Sequence, residues 1–158
     1  MQARDEINDF LMGTGGKAFA FDNIGDRVRG KIVDMKKRQQ TDLDSGEPQF
    51  WQNGDPKMML VVTLQTELSD ADDDEGLRNV YLRGGNFTPV KGKGASSLVA
   101  VKDAVRRSGS EKGIEIGGDL ALEYSGEAGK TNRAFNAAKL YSAEYAPPSF
   151  AVNIDEMA

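Results

Sequence analysis

The sequence predicts an all-β domain with one internal helix, and three observations support this prediction. Short segments of alternating apolar and polar residues, separated by turn residues, dominate the chain, which is typical of strands. One segment instead repeats its apolar residues with a helical period. The segments follow the order β-β-β-α-β-β. With 158 residues, the chain is long enough for one domain with its own core.

The first strand is predicted at residues 26–37, where DRVRGKIVDMKK alternates apolar positions with cations. This alternation gives the strand one core face and one solvent face. Gly30 in its middle indicates a bulge or a sharp bend. After the strand, DSGEP and NGDP are turn sequences, and they frame Phe50 and Trp51 in a small hairpin or an ordered loop.

The second and third strands are predicted on either side of an acidic loop. Residues 57–66, KMMLVVTLQT, form the strongest strand pattern in the chain. The loop SDADDDEG follows at 69–76, and LRNVYLR at 77–83 is the third strand. In this strand Val80 and Leu82 share one face, while the polar side chains share the other.

The helix is predicted in SSLVAVKDAVRRSG, with Ser96 or Ser97 as its N-cap. Its apolar residues lie on one face, and Gly109 suits the position just past its end. The fourth strand is predicted at residues 119–126 and the fifth at residues 137–145, where two prolines end it.

This order of elements, with a long first strand that contains glycine, matches the OB-fold. That fold is a five-stranded partly open barrel with its helix between strands three and four. We therefore predict an N-terminal extension at residues 1–19, with a short helix at 4–12. The OB-fold domain would span residues 20–146, and residues 147–158 would form a disordered, flexible tail. An SH3-like barrel has no such helix, and a ferredoxin-like fold needs a helix after its first strand.

Residue composition excludes several kinds of chemistry. The chain has no cysteine and no histidine, which excludes disulfides, thiol nucleophiles, a Ser-His-Asp triad and the commonest transition-metal ligands. We predict no enzymatic activity, no cofactor and no metal site. No apolar run approaches the ~18 residues of a membrane span, so we predict a protein of the cytoplasm, the host cytoplasm if phage-encoded, without membrane contact. The absence of cysteine would also suit an exported protein.

Charge is distributed unevenly along the chain. The net charge is −5, yet residues 17–40 carry a net +4 and residues 77–139 carry a net +5, while residues 41–76 carry −9. Local basic patches matter more for polyanion binding than the total charge. Basic faces therefore remain compatible with an acidic protein.

Cations, amides and aromatic residues gather on the elements that bind single strands in an OB-fold, namely strands two and three and two flanking loops. Cations would follow the phosphates, and aromatic rings would stack on bases. The candidate nucleic-acid-binding residues are Arg29, Lys31, Lys36, Lys37, Arg38, Gln39, Gln40, Phe50, Trp51, Lys57, Tyr81, Arg83, Lys130, Arg133 and Phe135.

The aromatic candidates also have structural interpretations. Phe50 and Trp51 would also suit packing over an open end of the barrel, and Tyr81 would also suit covering the sheet. The remaining tyrosines are assigned to the core or the barrel rim, namely Tyr124, Tyr141 and Tyr145.

Two stretches of the chain resemble a group of small proteins from actinobacteria and their bacteriophages. Residues 38–67, RQQTDLDSGEPQFWQNGDPKMMLVVTLQTE, share a glutamine-rich RQQTD, a turn, a tryptophan, a G-x-P turn and an M-x-LVVTLQT strand with that group; KLYSAEY at 139–145 is also similar. Some phage members are taken to be OB-fold single-stranded DNA-binding proteins, which the resemblance implies here. It carries over Arg38, Gln39, Gln40, Trp51 and Lys57 as candidates. Bacterial single-strand binders often end in an acidic tip that is closed by an aromatic residue and recruits other replication proteins; here the end, NIDEMA, is acidic but lacks the aromatic residue.

These observations predict sequence-independent binding of single-stranded DNA, or of RNA, in phage replication or recombination. Replication or recombination proteins and a homo-oligomer are further expected partners. The main alternative is an OB-type protein-interaction module in which Trp51 anchors a protein interface. A third hypothesis is a metal-dependent hydrolase or nuclease that uses the acidic loop, through Asp72, Asp73 and Asp74.

Overall fold

The computed structural model describes residues 17–42, 44–84, 94–127 and 139–148. These residues form six strands and one helix. The elements are β1 (Lys17–Ala18), β2 (Arg27–Gln39), β3 (Met58–Gln65), β4 (Leu77–Leu82), α1 (Ser97–Arg107), β5 (Asp119–Glu127) and β6 (Lys139–Ala146). The predicted all-β architecture with one helix between the third and fourth long strands is confirmed.

The strands form one mixed sheet in the order β1-β4-β3-β2-β5-β6. All neighbours pair antiparallel except β1 and β4, which are parallel. Among the described residues no ladder joins β4 to β6, so the sheet is open on that side. The predicted count of five strands is one short, because Lys17 and Ala18 pair with Arg78 and Asn79. A strand of two residues is too short to show an alternation of apolar and polar residues, so the sequence pattern could not predict it.

Strand β2 pairs with two different neighbours along its length. Residues 27–31 pair with β5, and residues 31–39 pair with β3. Gly30 lies at this crossover, where a Cβ would stand 2.9 Å from the carbonyl carbon of Gln65 and closer still to its oxygen. The register shift itself lies between Ile32 and Asp34, so the bulge residue is Val33 and not Gly30. Gly30 instead allows the backbone of β2 to approach the backbone at Gln65 closely.

The core lies between the sheet and α1. Its fully buried side chains come from the five long strands and include Ile32, Val62, Leu82, Leu120 and Leu140. Helix α1 adds Val101 and packs mainly against β6. The predicted caps are confirmed: the Ser96 hydroxyl accepts the Val99 N–H, and Gly109 has a φ of +76°. These caps satisfy free backbone groups at both ends of the helix and so set where it begins and ends.

Residues 40–42 and 44–57 form a double turn between β2 and β3, which we call the arm. The predicted turn glycines have positive φ, +72° at Gly46 and +90° at Gly54. The Trp51 N–H donates to the Asp55 carbonyl over 2.8 Å, and the Gly54 N–H donates back to the Trp51 carbonyl over 3.0 Å. Phe50 and Trp51 therefore sit on a hydrogen-bonded turn.

The remaining predictions fall at the ends of the chain. The helix at residues 4–12 and residues 149–158 of the predicted tail lie outside the described residues. Strand β6 ends at Ala146, directly before the two prolines, as predicted. The predicted domain boundaries at residues 19/20 and 146/147 stay predictions.

Candidate functional site

The sheet face opposite the core, on β2, β3 and β4, carries the largest group of candidates; we call it the outer face. Directly paired residues on neighbouring strands point to the same side of a sheet. Lys36 pairs with Val61, and Val61 pairs with Tyr81, so these three form one row across the strands. Val61 is only 5% exposed, which makes it the apolar floor between a cation and an aromatic ring.

Two arginines lie on one side of this row, toward the arm. Arg38 pairs with Met59 and lies one row along the same face, because Lys36 and Arg38 are two residues apart. The Arg83 guanidinium lies over the Tyr81 ring, with its Cζ 5.6 Å from the ring centroid. The outer face thus combines three cations and one half-buried tyrosine with one carboxylate, that of Asp34, which lies one row from Lys36 on the side away from Arg38.

The bulge at Val33 decides which cations reach this face. Before it, Ile32 faces the core; after it, Met35 pairs with the core residue Val62. Without the extra residue, Met35 and Lys36 would exchange faces. Lys37 pairs with the half-buried Leu60 and lies on the opposite side of β2 from Lys36. The candidate lysines at 36 and 37 are therefore not brought together.

Trp51 and Lys57 form the base of the arm. Lys57 lies over the indole, with Nζ 4.7 Å from the ring centroid. The Lys57 carbonyl accepts the Gln40 N–H over 2.6 Å, so the ladder between β2 and β3 continues to this residue. Lys57, Met59 and Val61 alternate along the chain, which extends the outer face to the half-buried indole. Phe50, beside Trp51, is 56% exposed.

Gln39 and Gln40 hold the arm in place. The Gln39 Nε2 donates to the Gln49 carbonyl over 2.8 Å, and the Gln40 Nε2 donates to the Met58 carbonyl over 3.2 Å. Side-chain amides that satisfy loop carbonyls fix the loop to the sheet. Both glutamines therefore tie the strand end of the arm, which carries Trp51, to its neighbouring segments.

Arg29 and Lys31 lie in the part of β2 that has turned toward β5. The Arg29 guanidinium is 3.3 Å from the Asp119 carboxylate, and Lys31 pairs with both Gln65 and Asp119. They are separated from the row at Lys36 by the bulge. The last three candidates, Lys130, Arg133 and Phe135, lie outside the described residues.

The acidic loop is organised around a buried cation. Arg78 is 3% exposed, and its guanidinium lies 2.7 Å from Asp74 and 3.3 Å from Asp70. Lys17 adds a contact of 2.6 Å to Asp70. Hydrogen bonds from Arg78 and from two backbone N–H groups hold the pKa of Asp74 well below its ordinary value of 3.8. A hydrogen bond from Lys17 likewise lowers the pKa of Asp70.

An aromatic cleft that sequence analysis missed opens between β4 and β6. Phe19, Phe21 and Tyr141 line it, with ring centroids 4.7 Å apart for Phe19–Phe21 and 5.3 Å apart for Phe21–Tyr141. Burial raises the pKa of the Tyr141 hydroxyl, and Arg83 partly opposes this shift. The signal in the sequence is an i, i+2 aromatic pair just before the first long strand.

Lys139 stands at the rim of this cleft. Its Nζ donates to the Phe21 carbonyl over 2.5 Å and lies 5.1 Å from the centroid of the Tyr124 ring. The pair of Lys139 and Tyr141, two residues apart on β6, was visible in the sequence. The contact of Lys139 with Phe21 was not visible in the sequence, since the two residues are 118 positions apart.

The part of the chain that the structure describes contains no cluster of three or more acidic side chains able to hold a metal ion. Within the same residues, no helix combines the length and the apolar character that crossing a bilayer requires. Comparison with protein families, with curated proteins and with solved structures finds no match in any of the three.

Proposed function

We propose that this protein binds single-stranded DNA with little sequence preference, in phage replication or recombination. Phosphates would run along Lys36, Arg38 and Arg83, and bases would stack on Tyr81 and on the indole of Trp51. Binders of this kind combine a cationic track with aromatic faces, because every base has a π-face and every nucleotide a phosphate. The sequence resemblance to phage single-stranded DNA-binding proteins supports the same proposal.

The proposal includes an OB-type architecture. Two features support it: β2 pairs with both β3 and β5, and the only helix among the described residues lies between β4 and β5. The open side between β4 and β6 fits a partly open barrel. In that architecture the strands corresponding to β3 and β4 form the ligand face.

One observation carries the functional proposal: the row Lys36–Val61–Tyr81, from which the same face continues along β3 through Met59 and Lys57 to Trp51. Its members come from distant parts of the chain, and the registers of β2 with β3 and of β3 with β4 align them. A cation, an apolar floor and a half-buried ring in one row are the parts that a stacked, charged strand requires.

The test is a fluorescence titration. The chain has one tryptophan, so its emission reports on the arm alone. We expect a thymidine oligomer to quench this emission, with an affinity that falls steeply between low and moderate salt as counterions are released. Duplex DNA of equal length should bind much more weakly. Unchanged emission at low salt with micromolar protein would contradict the proposal.

A second candidate function is a protein-interaction module. The 56% exposed Phe50 beside Trp51 and the net charge of −5 favour it, because aromatic anchors often dominate protein interfaces. Recovery of a protein partner whose binding is insensitive to salt, together with no shift of any oligonucleotide, would favour this function over the first.

A further inference from the structure

The cleft between β4 and β6 has the dimensions of a small-ligand site. Its volume is about 320 Å³, at the lower end of the range for ligand pockets. Tyr81 and Arg83 border it on one side and Phe19, Phe21, Lys139 and Tyr141 on the others. Since Tyr81 and Arg83 also belong to the outer face, the cleft begins where that face ends.

Charge distinguishes this cleft from the other concave surfaces. Its described lining residues include two cations, Arg83 and Lys139, and no carboxylate. The larger groove of about 740 Å³ beside α1 balances three arginines with three acidic residues, Asp103, Glu123 and Glu144. The hollow at Arg27 and Arg29 likewise contains Glu67 and Asp119. Only the surface at Trp51 and Lys57 shares the combination of cation and aromatic ring without a carboxylate among the described residues.

The aromatic rings that line the cleft are only partly buried, so a ligand can contact them. Phe19, Phe21, Tyr81 and Tyr141 are each half-buried, so each keeps part of its surface accessible. The N-terminus of α1 adjoins the cleft through Ser96 and Ser97. Because the positive end of a helix dipole lies there, it adds to the attraction of Arg83 and Lys139 for an anion.

We propose that this cleft receives a terminal nucleotide of the bound single strand, its base against Phe21 and Tyr141 and its phosphate between Arg83 and Lys139. This inference rests on the proposed function and extends it. The strand would run from the indole of Trp51 across Tyr81 and end in the cleft. Two aromatic, carboxylate-free surfaces at opposite ends of one cationic face define the path.

The experiment measures the affinity of labelled thymidine oligomers of increasing length by fluorescence anisotropy. For the unaltered protein, affinity should rise with length and level off once both end surfaces are occupied. Tyr141→Leu should bind the shortest oligomers normally and the longest ones more weakly, on the order of tenfold, because one stacked base is lost. Tyr141→Phe keeps the ring and should match the unaltered protein.

The charge is tested in parallel. Lys139→Gln should flatten the dependence of affinity on salt for long oligomers only, while the matched change Lys102→Gln on the exposed side of α1 should leave it unchanged. An equal loss at every oligomer length in Tyr141→Leu or Lys139→Gln would indicate a purely structural role and overturn the inference.

Photocrosslinking with an oligomer that carries 5-iodouracil at each end identifies the residues that contact the ends of the bound strand, without any substitution in the protein. Crosslinks to Phe21 or Tyr141 together with Trp51 are the expected result. Crosslinks to Trp51 and Tyr81 alone would overturn the cleft proposal and leave the proposed function intact. If the unaltered protein binds no oligomer, the proposed function fails first, so the two failures are distinguishable.

Discussion

The ammonium group of Lys57 lies 4.7 Å above the centre of the Trp51 indole, at the base of the arm. A cation over an aromatic face is attracted by the ring quadrupole, with a contribution of roughly 0.5–1 kcal/mol at exposed sites. Lys57 also continues the β2–β3 ladder through its carbonyl. The contact therefore links the sheet to Trp51 and orients the indole beside the outer face.

The first prediction concerns Trp51 itself. Trp51→Ala should weaken binding of a thymidine oligomer by roughly 1–3 kcal/mol, the contribution of one stacked base. Trp51→Phe should recover part of this loss, since a smaller ring still stacks. Anisotropy of a labelled oligomer measures both variants without the indole. An alanine variant that binds as tightly as the unaltered protein would remove Trp51 from the site.

The second prediction uses the two neighbouring lysines on opposite faces of β2. Lys36→Gln should lower the slope of log affinity against log salt by about 0.7, the effect of one lost phosphate contact on a single strand. Lys37→Gln changes the same charge one residue away and should alter the slope much less, because Lys37 pairs with Leu60 on the other face. Titrations at several salt concentrations give both slopes.

Equal slopes in the two lysine variants would mean that the proposed outer face does not guide the strand. The comparison is sharp because the variants share net charge and nearly the same position. Circular dichroism of both proteins provides the check that β2 is retained in each.

The strands and the helix could be predicted because they depend on local sequence patterns. The candidate site could be predicted only in part, because it depends on the register between strands that are distant in the chain. The strands and α1 follow from alternation and capping, and Gly46 and Gly54 follow from turn chemistry. The bulge at Val33 left no such signal, because β-branched residues suit any strand position. It sets which of Lys36 and Lys37 faces Tyr81, so the candidate list mixed both faces of β2.

The cleft escaped prediction for a related reason. Phe19 and Phe21 precede β2 in the chain, yet Phe21 contacts Tyr141 on β6. A contact across more than a hundred residues follows from the curvature of the whole sheet, which no local pattern encodes. The buried Arg78 was hidden in the same way, since its sequence neighbours place it in an ordinary strand.

The third prediction concerns the crossover of β2 at Gly30. Gly30→Ala should lower the free energy of unfolding by roughly 1–3 kcal/mol, because the new Cβ would clash with the Gln65 carbonyl group. Gly84→Ala is the matched control, since its Cβ would find only Leu98 at 3.9 Å. Urea denaturation of both variants measures the difference. A Gly30→Ala protein as stable as the control would show that the two backbones can separate freely.

The fourth prediction concerns acid stability and the pair of Arg78 and Asp74. The folded-state pKa of Asp74 lies below its ordinary value of 3.8, so its ionised form stabilises the folded protein. This stabilisation is complete above pH values near 4 and is lost as the pH falls through the lowered pKa, since protonation then favours the unfolded chain. The midpoint of thermal unfolding should therefore fall as the pH is lowered from 5 to 2.

Asp74→Asn should lower that midpoint at pH 7 and make it less dependent on pH between 5 and 2. The reason is that Arg78, 3% exposed, would keep the longer contact to Asp70 as its one carboxylate partner, beside its hydrogen bond to the Leu77 carbonyl. Asp72→Asn, in the same loop with an exposed side chain, is the control and should follow the unaltered protein. Identical pH profiles for Asp74→Asn and Asp72→Asn would show that the carboxylate of Asp74 does not hold the acidic loop against β4.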